Sequence, residues 1–383
     1  MTRLMFVTGS LAFGGAERHS ITLMNRLAER GHECHAVYVK SAAQQLDRIR
    51  LRGAGGIRCL NARRYFDRSA VADFAAHIRR IDPAVMVAAN PYALMYCWLG
   101  LRQSGMHARI IVTFHSTLLP GAKEWLQMLY YRPLFWSADC LVFICKAQQR
   151  YWARRLLTAR RTEMIYNGVD LAHWQPLSER ERGFKRTELG FTADDFVIGM
   201  CAIFRPEKNH LQLVEAVAAL RMQGIPARAL LIGDGDLRPV IEAHARALGV
   251  AHALVITGFQ NDVRPFIAAA DVAVLCSTSV ETLSLAALEA MALCRPMVLS
   301  DIGGAAEMVT PGANGYLFRA GDTAALIQKL ALVADRAHRV RMGQSAREKV
   351  ETVFSEEEMI NRYEQTLQQL CGTTLQPQAP VTT

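Results

Sequence analysis

Short apolar runs alternate with longer amphipathic stretches along the first half of the chain. Stretches such as 17–31 have the 3.6-residue periodicity of a helix. The apolar runs predict β-strands at residues 4–9, 33–39, 84–90, 109–116, 140–146 and 163–168. Because parallel neighbours need a helix-length connection, this alternation predicts a parallel sheet covered by helices on both faces.

The alternation stops after Asn167 and resumes after about two dozen polar residues, 170–195. Further strands are predicted at 196–204, 227–235, 252–259, 272–277, 296–301 and 316–318, with helices at about 209–223, 236–248, 284–293 and 323–334. We therefore predict an α/β fold with two Rossmann-like doubly wound domains, at 1–175 and 176–354. A final amphipathic helix is predicted at 355–371, and the composition of 372–383 indicates disorder.

The composition is ordinary for a globular protein: 51% of the 383 residues are hydrophobic and 21% are charged. No apolar run reaches the roughly 18 residues of a membrane-spanning helix. Glycines interrupt the apolar N-terminus, which we interpret as a first strand and not as a signal peptide. Nine scattered cysteines, an odd number, favour neither a disulfide framework nor a zinc site. These features favour a cytoplasmic protein.

The net charge of +9 is concentrated in the first half, where residues 1–170 hold 24 Lys and Arg against 11 Asp and Glu. The arginines include Arg63, Arg64, Arg79, Arg80, Arg154, Arg155, Arg160 and Arg161. They lack the interleaved aromatic signature of nucleic-acid binding, so we expect no nucleic-acid partner. An anionic membrane surface or a phosphate-bearing substrate would attract the same charge. A generic solvated basic face is the open alternative.

In open α/β sheets, ligands bind beyond the carboxyl ends of the strands. Gly14 and Gly15 follow the first predicted strand, just before a helix expected to begin near Ala16. Missing side chains there would let a ligand reach backbone N–H groups at the helix N-terminus. On its own, the pair is more typical of a plain tight turn, and the absence of a G-x-G-x-x-G pattern argues against an NAD enzyme.

A second candidate loop contains two carboxylates, Glu281 and Glu289, eight residues apart. A helix beginning near Ser284 would offer its free N–H groups to a diphosphate. Eight residues span about 12 Å along a helix, which is close to the reach from a sugar across a diphosphate to a ribose. Glu281 could instead be a helix-entry acid, and Glu289 a satisfied polar residue at a domain edge.

Other strand ends carry glycines or basic residues suited to the same ligand. In FRPEKNH (204–210), Arg205 and Lys208 stand where a phosphate would sit, although such a turn alone is also compatible with a surface lysine. LIGDGDL (231–237) and TGF (257–259) suit backbone contacts with a nucleobase and its sugar. SDIGGAAEMV places Gly303 and Gly304 after a further strand.

Taken in order, GGAE, VTFHS, YNGVD, RPEKNH, IGDG, TGF, the glutamate pair, SDIGGAAEMV and NGYLF resemble the retaining glycosyltransferases of family 4. The resemblance covers nearly the whole chain. It implies the GT-B architecture, a nucleotide diphosphate sugar on the C-terminal domain and an acceptor on the N-terminal domain. The last helix would cross back to the first domain. Many members build bacterial polysaccharide or lipopolysaccharide, so a lipid-linked or lipopolysaccharide acceptor at the inner face of the membrane is expected.

The resemblance also implies roles for individual residues. Glu281 would contact the hydroxyls of the donor sugar, Lys208 the diphosphate, and His115 the transferring sugar. The remaining donor-binding positions implied are Gly14, Gly15, Arg205, Gly233, Gly258, Phe259, Leu283, Ser284, Leu285 and, on the ribose, Glu289. In isolation, His115 would be interpreted as a hydrogen-bonded histidine at a strand end.

Two positions depart from the family pattern: Ile203 stands where an arginine is usual, and Cys294 where a glycine is common. Transfer with retention by a front-face route needs leaving-group stabilisation, which Lys208, Arg205 and the helix N-terminus would supply without a metal or other cofactor. We expect Asp234 and Asp236 to cap a helix and not to bind a metal. A nucleotide-sugar epimerase and a non-catalytic nucleotide-sugar-binding protein are the open alternatives.

Overall fold

The structure is a computed structural model that describes residues 1–12, 14–51, 53–116, 121–279 and 281–372. The described chain divides into two compact units. The first unit comprises Met1–His115, Gly121–Tyr166 and the chain from Glu358 onward, and the second comprises Asn167–Glu357. Each unit contains one parallel sheet with a helix between most pairs of successive strands, so the predicted α/β fold with two Rossmann-like sheets is confirmed.

The sheet of the first unit has seven strands in the order β3-β2-β1-β4-β5-β6-β7. Its strands are β1 (Arg3–Thr8), β2 (Glu33–Tyr38), β3 (Ile57–Cys59), β4 (Val85–Ala88), β5 (Arg109–Phe114), β6 (Cys140–Phe143) and β7 (Arg161–Met164). Its helices are α1 (Gly15–Glu29), α2 (Arg68–Ile81), α3 (Pro91–Ser104), α4 (Ala122–Ser137) and α5 (Lys146–Ala153), together with the C-terminal α14 (Glu356–Cys371).

The central strands are recognisable in the sequence because helices cover both faces of the sheet. Every residue of β4 and β6 is buried. The edge strand β3 was not predicted, because it has only three residues and none of them is buried.

Helix α14 belongs to the core of the first unit. Its residues Met359, Ile360, Tyr363 and Leu367 are buried in one apolar cluster with Leu4 of β1. The predicted return of the last helix to the first domain is thereby confirmed.

The sheet of the second unit has six strands in the order β10-β9-β8-β11-β12-β13. The strands are β8 (Phe196–Cys201), β9 (Ala227–Ile232), β10 (Leu254–Ile256), β11 (Val272–Leu275), β12 (Met297–Ser300) and β13 (Gly315–Phe318). The helices are α6 (Glu179–Glu188), α7 (His210–Met222), α8 (Arg238–Ala247), α9 (Arg264–Ala269), α10 (Leu285–Ala292), α11 (Ala305–Met308), α12 (Thr323–Val333) and α13 (Arg336–Val353).

The polar segment 170–195, interpreted from the sequence as a pause between the two series, contains the helix α6. Its first turn is a capping box, in which the Ser178 side chain accepts from the Glu181 N–H and the Glu181 side chain accepts from the Ser178 N–H. Arg186 of this helix is buried and donates to Asp271, at the start of β11. The helix is therefore tied to the sheet by an ion pair.

Of the tail predicted to be disordered, only Gly372 lies among the described residues. Within those residues, no helix combines the length and the apolar content needed to cross a bilayer.

Candidate active site

The second unit has its topological switch point between β8 and β11, which are neighbours in the sheet although β9 and β10 lie between them in the chain. From β8 the strand order runs outward to β9 and β10 on one side, and to β11, β12 and β13 on the other. The loops after β8 and β11 therefore diverge and leave a crevice at the carboxyl edge of the sheet. These two loops carry Lys208 and Glu281.

Lys208 and Glu281 form an ion pair across this crevice. The Lys208 Nζ donates to the Glu281 Oε2 at 2.6 Å, and both side chains are largely covered, with 23% and 17% exposed. Ser277, which is fully buried, donates its hydroxyl to the same carboxylate oxygen at 3.0 Å. The sequence interpretation did not include Ser277 among the site residues; its place two residues after β11 and four before Glu281 is the available signal.

The FRPEKNH segment holds Lys208 in place through two buried rings. Phe204 and His210 are each 1% exposed, and their ring centroids lie 4.6 Å apart. Between them, Asn209 adopts a left-handed φ of 52°, which ends the 3₁₀ turn Pro206–Lys208 and starts α7. Burial, followed by the charge of Lys208, lowers the pKa of His210 to about 4, so this ring is neutral at pH 7.

Helix α10 begins at Leu285, with Ser284 as its N-cap and with Leu283 buried just before it. The Ser284 Oγ accepts from the Ala287 N–H, and the remaining N–H groups of the first turn have no partner within the helix. The helix N-terminus at Ser284 was predicted correctly. Glu281 precedes the helix and Glu289 lies in it, so the helical rise applies to only part of the eight residues between them.

Glu289 is buried inside α10, with 3% of its surface exposed. It lies just over one turn into the helix, among Ala287, Leu288 and Ala290, which are also buried. Carboxylates are seldom placed in such surroundings unless they have a binding or structural partner.

The glycine pair after β12 forms a wall of the crevice. The Gly304 N–H donates to the Thr282 carbonyl at 2.6 Å. A Cβ added to Gly303 would lie 2.1 Å from the Glu281 carbonyl oxygen, so only glycine lets the two loops approach this closely. Gly303 thus sets the position of the backbone that carries Glu281.

Two further glycines bring the ends of β9 and β10 together. Gly233 and Gly258 form an isolated antiparallel bridge, and both have positive φ, at 137° and 71°. Phe259, next in the chain, is 59% exposed. Exposed backbone and an exposed ring at this edge suit a flat ligand such as a nucleobase.

The prediction that Asp234 and Asp236 cap a helix is wrong. The N-cap of α8 is Leu237, whose side chain cannot accept a hydrogen bond. Asp234 instead accepts from the Gly235 N–H at 2.9 Å and pairs with Arg238 at 3.0 Å. Among the described residues, no group of three or more His, Cys, Asp or Glu side chains is placed to hold a metal ion.

In the first unit, α1 begins at Gly15, one residue earlier than expected, and Gly14 is its N-cap. A Cβ on Gly15 would have open space around it, whereas one on Gly14 would meet the Glu17 carboxylate. Burial raises the pKa of Glu17 against the opposing effect of a backbone hydrogen bond. Gly14 and Gly15 therefore leave the start of α1 uncovered by side chains of their own.

His115 follows β5, and it contacts His19, which the sequence interpretation did not include. The ring of His19, from α1, packs edge-on against it, with the centroids 4.9 Å apart. The Tyr363 hydroxyl of α14 lies 3.1 Å from the His19 Nε2. Burial and then the neighbouring His19 lower the pKa of His115 well below its ordinary value, so the imidazole is neutral at pH 7.

The two departures from the family pattern have different structural settings. Ile203 is 44% exposed, near the start of the loop that carries Lys208. Arg205, two residues on, is also exposed, and no ion pair engages it in the described part of the chain. Cys294 has a left-handed φ of 58°, which is the geometry that a glycine would adopt without strain. The turn after α10 is therefore retained despite the substitution.

Two family models together match most of the chain. The model described as Glycosyltransferase Family 4 matches residues 13–173, and the one described as Glycosyl transferases group 1 matches residues 181–349. EpsD of Bacillus subtilis (strain 168), which is named as a glycosyltransferase, is 31% identical over 69% of this chain and 72% of its own length.

Two further proteins match over nearly the full length. The lipopolysaccharide core biosynthesis glycosyltransferase LpsE of Rhizobium meliloti (strain 1021) is 29% identical over 92% of this chain and 96% of its own. HepE of Anabaena, solved in complex with UDP-glucose, superposes with a TM-score of 0.84 and 20% identity, over 96% of this chain and 100% of its own. Neither the epimerase nor the non-catalytic alternative is favoured by these relatives. The chain belongs to the group 1, family 4 glycosyltransferases, and it has their two-domain GT-B fold.

Proposed function

We propose that this protein transfers a glycosyl unit from a nucleotide diphosphate sugar to an acceptor hydroxyl, with retention at the anomeric carbon, in the synthesis of a cell-surface polysaccharide or lipopolysaccharide. The observation that carries the proposal is the Lys208–Glu281 pair at the switch point of the second unit. A cation for a diphosphate and a carboxylate for sugar hydroxyls meet where this fold class binds its ligands.

The proposed donor site uses the strand ends of the second unit. Lys208, with the exposed Arg205, faces the diphosphate; the amides after Ser284 receive its other oxygens. Glu281 accepts from hydroxyls of the sugar and Glu289 from those of the ribose. The remaining contacts are backbone and ring contacts from Gly233, Gly258, Phe259, Leu283 and Leu285.

In the proposed reaction, the bond between the anomeric carbon and the diphosphate oxygen breaks, and the acceptor oxygen attacks from the same face. The acceptor proton passes to the departing diphosphate. The main demand on the protein is to stabilise negative charge on that leaving group. We assign this task to Lys208, Arg205 and the N-terminus of α10, and we propose that the reaction needs no metal ion. Gly14 and Gly15 would approach the phosphates, and His115 the transferring sugar.

The neutral imidazole of His115 suits a hydrogen-bonding role beside that sugar, because a ring with a strongly lowered pKa cannot supply a permanent positive charge. We place the acceptor on the domain 1–175 and the donor on the domain 176–354. LpsE and the Escherichia coli galactosyltransferase that acts on a GlcNAc-diphosphoundecaprenol are among the relatives. A lipid-linked or lipopolysaccharide acceptor, met at the cytoplasmic face of an anionic membrane, follows from the proposal.

The test measures nucleoside diphosphate release from UDP-, GDP-, ADP- and dTDP-sugars in the presence of a bacterial lipid extract. Glu281→Ala should lose at least about 100-fold in turnover, because it removes a group that orients the reacting sugar. Glu242→Ala is the matched control, since it also breaks an ion pair, with Arg238, on the surface of the same unit. The proposal would be contradicted if the wild type released no nucleoside diphosphate from any of the four donors, or if well-folded Glu281→Ala kept full activity.

A further inference from the structure

Helix α4 is apolar on two faces, although only one of them packs into the first unit. Met128, Tyr131 and Phe135 are buried beneath it. On the outside, Leu126, Leu129 and Trp136 are 71%, 57% and 52% exposed, and Pro133 between them is exposed as well. Spacings of three and four residues place these outer side chains in one continuous stripe.

Exposed aromatic residues extend this stripe toward α3. Tyr130 is 62% exposed, and its hydroxyl lies 3.8 Å from the Met95 Sδ. Tyr65 stacks at 4.9 Å on Tyr92, one turn before Met95 on the same helix. Tyr65 and the adjacent Phe66 are 45% and 46% exposed. We define the α4 patch as the exposed apolar residues Leu126, Leu129, Tyr130, Trp136, Tyr65 and Phe66.

Basic residues border the α4 patch on the side of α5. The Arg132 guanidinium donates to the Arg155 carbonyl at 2.6 Å, which joins α4 to the turn after α5. The Arg155 guanidinium lies 5.7 Å from the Trp125 ring centroid. In the same turn, Arg154 is exposed and Leu156 is 73% exposed. This border is thus cationic and carries an apolar side chain of its own.

The chain around the patch has a strong excess of positive charge. Residues 122–161 hold eight Lys and Arg against two acids. One of these acids, Asp139, is largely buried and already paired with Arg109 and Arg160. On the opposite border, the exposed basic residues Arg63, Arg64 and Arg68 flank Tyr65 and Phe66. The occupant of the patch must therefore be apolar where it meets α4 and anionic around it.

Single exposed apolar residues are normal on protein surfaces, and Met222 and Phe184 of the second unit, at 83% and 73% exposed, are examples. The α4 patch differs because its members adjoin one another and stand within a cationic border. A surface of exposed leucine bordered by tyrosine, tryptophan and arginine has the composition of surfaces that lie stably at a bilayer interface.

We propose that the α4 patch docks on the surface of an anionic lipid bilayer, with Leu126 and Leu129 inserted beneath the headgroups and the bordering arginines on the lipid phosphates. The proposal rests on the proposed function in one respect, since it supplies the membrane on which a lipid-borne acceptor would be met. It deepens that function by naming the surface that contacts the membrane. Attraction between the basic residues and anionic lipid would not by itself require the leucines to insert.

The test is co-sedimentation of the full chain with phosphatidylcholine vesicles, with and without phosphatidylglycerol. The wild type should bind the anionic vesicles and lose most of that binding in high salt. The double variant Leu126→Asp/Leu129→Asp should reduce the partition constant more than about tenfold, because it removes two apolar side chains and adds two negative charges. Met222→Asp/Phe184→Asp is the matched control and should bind as the wild type does.

A second measurement keeps the proposal testable if the double variant folds poorly. Phospholipids brominated on their acyl chains should quench the fluorescence of the wild type more than that of Trp136→Phe, because inserted Trp136 would meet the bromines. Equal quenching of the wild type and Trp136→Phe would overturn the proposal, and so would equal vesicle binding by the Leu126→Asp/Leu129→Asp variant and the wild type. A dimer detected by sedimentation velocity would also overturn it if the Leu126→Asp/Leu129→Asp variant abolished the dimer and left vesicle binding unchanged. The patch would then be covered by a second copy of the chain.

Failure of this proposal is separable from failure of the donor site. The Leu126→Asp/Leu129→Asp variant should keep the rise in melting temperature that a nucleotide sugar produces, since the substitutions lie in the first unit. Vesicle binding without any such rise would preserve the docking surface and remove the proposed enzyme function.

Discussion

Gly303→Ala provides a stringent test of the backbone that holds Glu281. Gly303 has a left-handed φ of 58°, and a methyl group there would stand 2.1 Å from the Glu281 carbonyl oxygen and 2.8 Å from that of Thr282. Ordinary contact begins near 3.4 Å, so the two loops must separate by more than 1 Å. The shift would also strain the hydrogen bond from Gly304 to Thr282.

The expected cost of Gly303→Ala has two parts. Left-handed alanine destabilises the fold by about 1–2 kcal/mol. Displacing a positioning loop by about 1 Å should reduce kcat/KM roughly 100-fold. The first part lowers the melting temperature, and the second appears in nucleoside diphosphate release with the preferred donor.

Gly312→Ala is the matched control, because Gly312 has a φ of 81° and a Cβ there meets nothing within 4 Å. It should have the same kind of backbone cost while its kcat/KM stays within about twofold of the wild type. Equal kcat/KM in the two alanine variants would refute the argument that Gly303 positions Glu281.

Three further predictions concern stability. Asp271→Ala should lower the free energy of unfolding by about 3–5 kcal/mol in urea titrations, since it leaves the buried Arg186 without its carboxylate. Asp262→Ala breaks an exposed ion pair, with Arg264, and should lower the free energy of unfolding by less than about 1 kcal/mol. Burial lowers the pKa of His19 to about 4 in the folded protein, whereas a histidine in the unfolded chain titrates near about 6.5. The unfolded chain therefore binds the proton first, and the free energy of unfolding should decrease as the pH falls from about 6.5 to 4. His19→Gln should flatten that dependence on pH. Tyr363→Phe should cost about 1 kcal/mol through the lost bond to His19, and an unchanged unfolding midpoint would contradict that reading.

Much of the fold was predictable because strand burial leaves a strong pattern. Strands such as β6 and β11 are buried at every position, and each was predicted within three residues of its end. Edge positions leave a weaker pattern: β10 has only intermediate burial and is five residues shorter than predicted. Helix α6 escaped notice because its residues are mainly charged, and its packing depends on ion pairs that periodicity does not reveal.

The candidate site was predictable as a set of loops but not as a set of contacts. Strand-end position and family motifs pointed to Lys208 and Glu281, yet their direct pairing joins residues 73 apart in sequence. Only the strand order brings them together. Ser277 and His19 were missed because each looks like an ordinary core residue until the fold places it beside a functional candidate. The roles assigned to these residues remain predictions.

The most direct test of the central claim is the melting temperature of the purified chain with UDP-, GDP-, ADP- and dTDP-sugars, measured for the wild type and two lysine variants. A ligand that binds only the folded state must raise this temperature. Lys185→Ala is the control for Lys208→Ala, because Lys185 is also ion-paired and similarly covered in the same unit. We expect a rise with one nucleotide class that Lys208→Ala abolishes and Lys185→Ala retains. A rise that survives Lys208→Ala undiminished, or no rise with any of the four donors, would contradict the central claim.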